Sequence, residues 1–133
     1  MKNFKFLILI IACVACKKTD ISTENEIVGK WKLTSITKKD VNNNIQHINV
    51  SSDKYVFVSF SESQKFEETY QNTNSFEYGF LSGSGTYSVE NKNVRIVTYL
   101  MSSTSGVLFE IVSVDKNKLI LKNSNYGEFT FAK

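Results

Sequence analysis

From Ile27 to Lys133 the chain is a succession of short runs in which apolar residues tend to recur at every second position. Val94, Ile96, Thr98 and Leu100 share one parity, and Arg95, Val97, Tyr99 and Met101 share the other. Val107, Phe109 and Ile111 alternate with Leu108, Glu110 and Val112, while Phe129 and Phe131 flank Thr130. Successive side chains of a β-strand point to opposite faces, so this pattern specifies strands with one apolar face. No stretch sustains the helical period, and helix is confined to about one turn near 23–28. The chain is rich in Phe, Tyr, Val, Ile and Thr, which favour strands, and proline is absent, so no strand position is forbidden on that ground.

Strands are expected near 29–38, 54–61, 65–71, 75–81, 84–90, 94–101, 106–114, 117–123 and 126–132. Glu90–Asn93, Asp115–Asn117 and Asn123–Asn125 carry tight-turn chemistry, because Asn and Asp tolerate positive φ. Ser82-Gly83-Ser84-Gly85 reads as a flexible turn or bulge, and the polar stretch at 38–47 as the main loop. Consecutive short strands without crossover helices favour an antiparallel meander. Closing it into a barrel of roughly eight strands removes the exposed edges.

The N-terminus has a different grammar. Lys2 and Lys5 precede an unbroken apolar run from Phe6 to Ala15, closed by Cys16 and followed by Lys17-Lys18-Thr19-Asp20. A bilayer-spanning helix needs about 20 apolar residues, so the run is a secretory leader rather than an anchor helix. A cysteine after a small residue at the end of such a run resembles the lipobox of bacterial lipoproteins. The length of the run and the polar break favour Cys16 as the acylated residue. Cys13 is the alternative, since Ile10 fits the lipobox better than the Cys13 that precedes Cys16. The expected organisation is a leader at 1–15, a lipidated polar tether at 16–26 and one domain at 27–133. Because each buried methylene contributes only about 0.8 kcal/mol, two or more acyl chains are needed for stable anchoring. The expected location is the cell envelope. Lys17 rather than Asp after the cysteine resembles the pattern for outer-membrane delivery.

Charge and side-chain inventory exclude several functions. The formal charge of +3 falls close to neutral once the leader lysines are removed, and the single arginine, Arg95, has no basic cluster around it. No nucleic-acid footprint follows. No cysteine lies beyond Cys16, so the domain has no disulfide and no thiolate metal site. His47, the only histidine, is expected as a solvated loop residue. Glu62, Glu67 and Glu68 are expected at a solvated edge, since adjacent carboxylates on a strand point to opposite faces. No nucleophile–base pair is visible, so no enzyme, cofactor or metal is expected.

Gly29-Lys30-Trp31 opens the domain. Glycine lets the chain bend sharply into the first strand, and Trp31 can bury a large apolar surface as a plug at one barrel end. Gly-x-Trp at this place resembles the first lipocalin motif. Val58-Ser59-Phe60, Ser84-Gly85-Thr86-Tyr87-Ser88-Val89, Phe109-Glu110-Ile111, Lys118-Leu119-Ile120-Leu121 and Phe129-Thr130-Phe131 follow in the order of lipocalin-like lipoproteins common in Bacteroidota. The resemblance departs in two respects, and the first is that the Thr-Asp-Tyr motif of the larger lipocalins is missing. The late-strand arginine that stacks over the motif tryptophan in larger lipocalins is missing, leaving Lys122 or Lys133 to stand in. The resemblance implies a non-enzymatic barrel binding a small hydrophobic or amphipathic ligand, with Phe60, Phe66, Tyr70, Tyr87, Ile96 and Phe109 as candidate lining. The competing class is a filled barrel used as a protein-interaction or inhibitor module, with loop 38–53 and the loop at 72–75 as its contact surface. An open interior favours the first class; an exposed apolar patch rimmed by polar residues favours the second.

Overall fold

The computed structural model describes residues 23–133. The leader, both candidate acylation cysteines and the first residues of the tether lie outside the described residues. The chain forms α1 (Thr23–Ile27), β1 (Gly29–Lys39), β2 (Ile45–Asn49), β3 (Tyr55–Phe60), β4 (Lys65–Gln71), α2 (Ser75–Tyr78), β5 (Gly85–Glu90), β6 (Asn93–Thr98), β7 (Val107–Val114), β8 (Lys118–Asn123) and β9 (Gly127–Ala132). The short α1 occupies the one helical turn expected near 23–28.

All strand pairings are antiparallel, and β1 pairs with both β3 and β9. Strands β1 and β3 to β9 therefore close into an eight-stranded barrel, as the succession of short strands without crossover helices favoured. β1 can serve two partners along one edge because it is long. Gly29 to Lys32 pair with β3, and Ser35 to Lys39 pair with β2. On the opposite edge, paired with β9, a register shift falls between Leu33 and Ser35; such a bulge bends a strand and strengthens its twist.

Two sequence expectations are corrected. The loop at 38–53 contains a strand, β2, because β1 runs on past β3 and offers an unpaired edge. The strand expected at 75–81 is instead α2 followed by a series of bends at 80–83. Asn74 caps α2, its Oδ1 accepting the N–H groups of Phe76 at 2.9 Å and Glu77 at 3.3 Å. This insertion leaves the β4–β5 seam with only two residue pairs, Lys65 with Thr86 and Phe66 with Gly85.

The turns follow the chemistry read from the sequence. Asp115 Oδ1 accepts the N–H groups of Asn117 and Lys118, Asn123 Oδ1 accepts those of Asn125 and Tyr126, and Asn91 adopts φ 58°. Alternation decides the core. On β3, Val56, Val58 and Phe60 point in; on β6, Val94, Ile96 and Thr98; on β9, Phe129 and Phe131. Gly85 sits where β4, β5 and β6 converge, and a Cβ there would fall 1.8 Å from the Val97 carbonyl oxygen. Only glycine admits that approach.

Candidate functional site

The barrel has two unlike ends. At one end Gly29 takes φ 137°, a region glycine alone occupies readily, and turns the chain into β1. Trp31 follows, fully buried, with its Nε1–H donating to the Ile27 carbonyl at 2.8 Å. The Lys133 ammonium lies 4.7 Å from the Trp31 ring centroid. Lys133 thus takes the place read for it, while Lys122 pairs across β8 and β9 with Glu128, away from the indole. The loops at 61–64, 91–92 and 115–117 and helix α1 share this end.

The opposite end is the mouth, formed by the hairpin at 40–44, the loops at 50–54 and 99–106, the turn at 124–126 and the α2 insertion. Three contacts tie the insertion to the 50–54 loop. Lys54 pairs with Glu77, Asn72 Nδ2–H donates to the Asp53 carbonyl at 3.0 Å, and the Ser51 and Tyr78 hydroxyls lie 3.4 Å apart.

After α2 the chain turns inward and delivers Phe80 to the middle of the barrel. Its ring centroid lies 4.8 Å from those of Phe109 and Phe129, 5.5 Å from Phe131 and 6.1 Å from Phe66, mostly in tilted or edge-to-face arrangements. Glu68 holds this segment in place. Its carboxylate accepts the N–H groups of Phe80 at 2.7 Å and of Leu81 and Ser82 at 2.8 Å each, together with the Tyr70 hydroxyl. Glu68 is 6% exposed, so the expectation of a solvated edge carboxylate is overturned. The physical reason is parity: Glu68 shares the inward face of β4 with Phe66, and the sparse β4–β5 seam leaves it the backbone of 80–82 to bind. Four donors converge there, as a buried carboxylate requires. Burial first, and then the hydrogen bond to Glu68, hold the Tyr70 phenol well above the ordinary tyrosine range.

The candidate lining residues fall into three groups. Phe66 and Phe109 touch Phe80. Phe60 and Tyr87 form an edge-to-face pair at 5.0 Å, and Tyr87 donates to the Ser61 carbonyl at 2.7 Å. Ile96 is buried between β5 and β7, opposite Tyr87 and Val107. Tyr70 is half-buried and belongs to the Glu68 cluster. The residues face one interior, but Phe80 occupies its centre. Surface cavities of about 420 Å³ beside Lys39 and Lys122 and about 340 Å³ beside Thr86 and Arg95 both lie apart from the Phe80 cluster. His47 lies on β2, exposed, with Nδ1 2.9 Å from the Thr37 hydroxyl. Among the described residues no group of three or more His, Cys, Asp or Glu is placed to hold a metal.

Sequence reasoning did not single out two further groups. Thr98 is 2% exposed, faces inward, and its hydroxyl has no hydrogen-bond partner among the described residues. The mouth also carries a ring of exposed apolar side chains: Val41 and Phe76, 98% and 99% exposed, with Ile45, Tyr99, Leu100 and Tyr126. Val41 and Ile45 fall in the stretch read as a polar loop, while the runs around Phe76, Tyr99, Leu100 and Tyr126 read as strands until the topology placed these side chains outside the core.

A closed eight-stranded antiparallel barrel, entered through Gly-x-Trp and stoppered by that tryptophan, defines a lipocalin-like class of scaffold, of the size that side chains fill or that holds one small ligand. The family model for the lipocalin-like domain matches residues 27–121, and the chain belongs to that family. A search of curated proteins and a search of solved structures each find no match.

Proposed function

We propose that the protein is a lipid-tethered lipoprotein of the bacterial cell envelope, acylated at Cys16 and delivered to the outer membrane, whose barrel serves as a filled scaffold for a protein partner at the mouth. The observation that carries this reading is the ring of exposed apolar residues. Isolated exposed apolar residues are ordinary, but six large ones at one end of a barrel mark a contact surface. They include three aromatic residues of types enriched in interface cores, Phe76, Tyr99 and Tyr126, and Lys39 and Glu128 line the same surface cavity as Ile45. Helix α1, the first described element, lies at the Trp31 end, opposite the contact surface.

A photo-crosslinker placed at Phe76 or Leu100 in cells should give one discrete adduct, absent when placed at Val112 on the outer wall. Phe76→Asp with Leu100→Asp should abolish the adduct without unfolding the barrel. Equal labelling from all three positions would reject the reading.

A second reading, a small apolar ligand inside the barrel, is favoured by one observation. The residue at the centre of the interior comes from a connection and not from a strand. A strand residue could leave only if the barrel unfolded; Phe80 can leave with its loop.

A further inference from the structure

The interior contains one feature that packing does not explain. Thr98 points inward on β6 in line with Val94 and Ile96, almost fully buried, and its hydroxyl is unpartnered among the described residues. A buried hydroxyl without a partner is costly, so such groups are rare. The segment that carries Phe80 also covers Thr98: a Cβ at Gly83 would stand 3.6 Å from Thr98 Cβ, and Gly85 is the β-partner of Thr98. One loop therefore occupies the aromatic interior and roofs an unsatisfied hydroxyl.

The hold on that loop is concentrated. Its three consecutive N–H groups, from Phe80 to Ser82, all bind Glu68. Ser82 sits at φ 58°, a left-handed conformation uncommon for a side-chain-bearing residue. The β4–β5 seam beside it has two residue pairs, so the loop can move without breaking a long ladder.

We propose that the space filled by Phe80 is a binding site for a single-ring aromatic molecule carrying one hydroxyl, with Thr98 as its hydrogen-bond partner and Glu68 as the latch that keeps Phe80 in place at rest. The ring replaces the Phe80 ring against Phe66, Phe109, Phe129 and Phe131, and the hydroxyl satisfies Thr98. Binding requires the latched segment to swing out, so apparent affinity equals intrinsic affinity multiplied by the open fraction. The inference rests on the interior-ligand reading and is independent of the contact surface at the mouth.

The test is titration of the full chain with p-cresol and with toluene, followed by aromatic-region NMR. The wild-type chain should bind p-cresol saturably and more tightly than toluene. Phe80→Ala, which removes the occupant, and Glu68→Gln, which weakens the latch, should each tighten both probes by about tenfold or more. Thr98→Val in the Phe80→Ala background should erase the preference for p-cresol while leaving toluene binding intact. Saturable wild-type binding with no preference, unchanged by Thr98→Val, overturns the ligand class and leaves the interior reading standing. Binding by Phe80→Ala with none by the wild-type chain identifies an engineered hole and overturns both. Should Glu68→Gln fail to fold, the Phe80→Ala and Thr98→Val pair still decides.

Discussion

The ammonium of Lys133, the last residue, lies over the indole of Trp31, the third residue of the first strand, 4.7 Å from its ring centroid. The contact closes the barrel at its Trp31 end, where β9 returns to pair with β1. The two residues differ in what they contribute. Trp31 is fully buried, so Trp31→Ala should cost about 3–5 kcal/mol by loss of buried surface and creation of a cavity. Lys133→Ala removes a cation–π contact at an exposed residue and should cost about 0.5–1 kcal/mol. Urea denaturation of both variants checks the order; equal costs would show that the buried indole holds this end no more strongly than the lysine contact does.

Glu68→Ala should be among the most destabilising single changes at the mouth. It strands the N–H groups of Phe80, Leu81 and Ser82 and the Tyr70 hydroxyl. Each buried donor left unpaired costs about 1–3 kcal/mol. Glu67→Ala, one residue earlier on the exposed face of β4, should change stability by less than about 0.5 kcal/mol. The pair of denaturation midpoints separates a buried latch from an edge carboxylate.

Alkaline pH should loosen the same region. The Tyr70 phenol titrates higher folded than unfolded, raised first by burial and then by Glu68. The Tyr87 phenol is raised too, by burial and then by the nearby charges of Glu24 and Glu62. A raised group binds its proton more tightly in the folded chain. Its contribution is complete below the unfolded tyrosine value of about 10 and is lost as pH rises through the folded value. Stability measured from pH 8 upward should therefore hold level to about pH 10 and then fall. Tyr70→Phe with Tyr87→Phe should flatten the fall; an unaltered slope would place its origin elsewhere.

Acylation is expected at Cys16. Intact mass spectrometry of the chain from native membranes should show a product beginning at Cys16 and carrying more than one acyl chain. Cys16→Ser should release the protein from the membrane fraction. Retention of that variant, with release by Cys13→Ser, would move the site to Cys13.

Much of the architecture was legible because a period of two admits few interpretations. The alternation of Val94, Ile96 and Thr98, and of Phe129 and Phe131, fixed which side chains turn inward, and Asn and Asp marked the turns. The α2 insertion was not legible. Ser75-Phe76-Glu77-Tyr78 alternates like a strand, and only the cap at Asn74 and the tertiary contacts of Tyr78 and Glu77 decide for a helical turn. Strand β2 was missed because its sequence is polar and its stability comes from an edge that β1 leaves open. Glu68 carried a usable signal, since its parity with Phe66 places it inside, but its partners are backbone amides that no side-chain pattern reveals. Thr98 looked like any strand threonine, because an unsatisfied hydroxyl is a property of its surroundings.

Amide hydrogen exchange at Phe80, Leu81 and Ser82 tests the account most directly. These residues lie in a connection, yet each N–H is held by the buried carboxylate of Glu68 around a ring packed at the barrel centre. The account predicts that all three exchange as slowly as the amides of β3 and β4, and that Glu68→Gln speeds all three together. Exchange at the rate of the exposed 99–106 loop in the wild-type chain would contradict it.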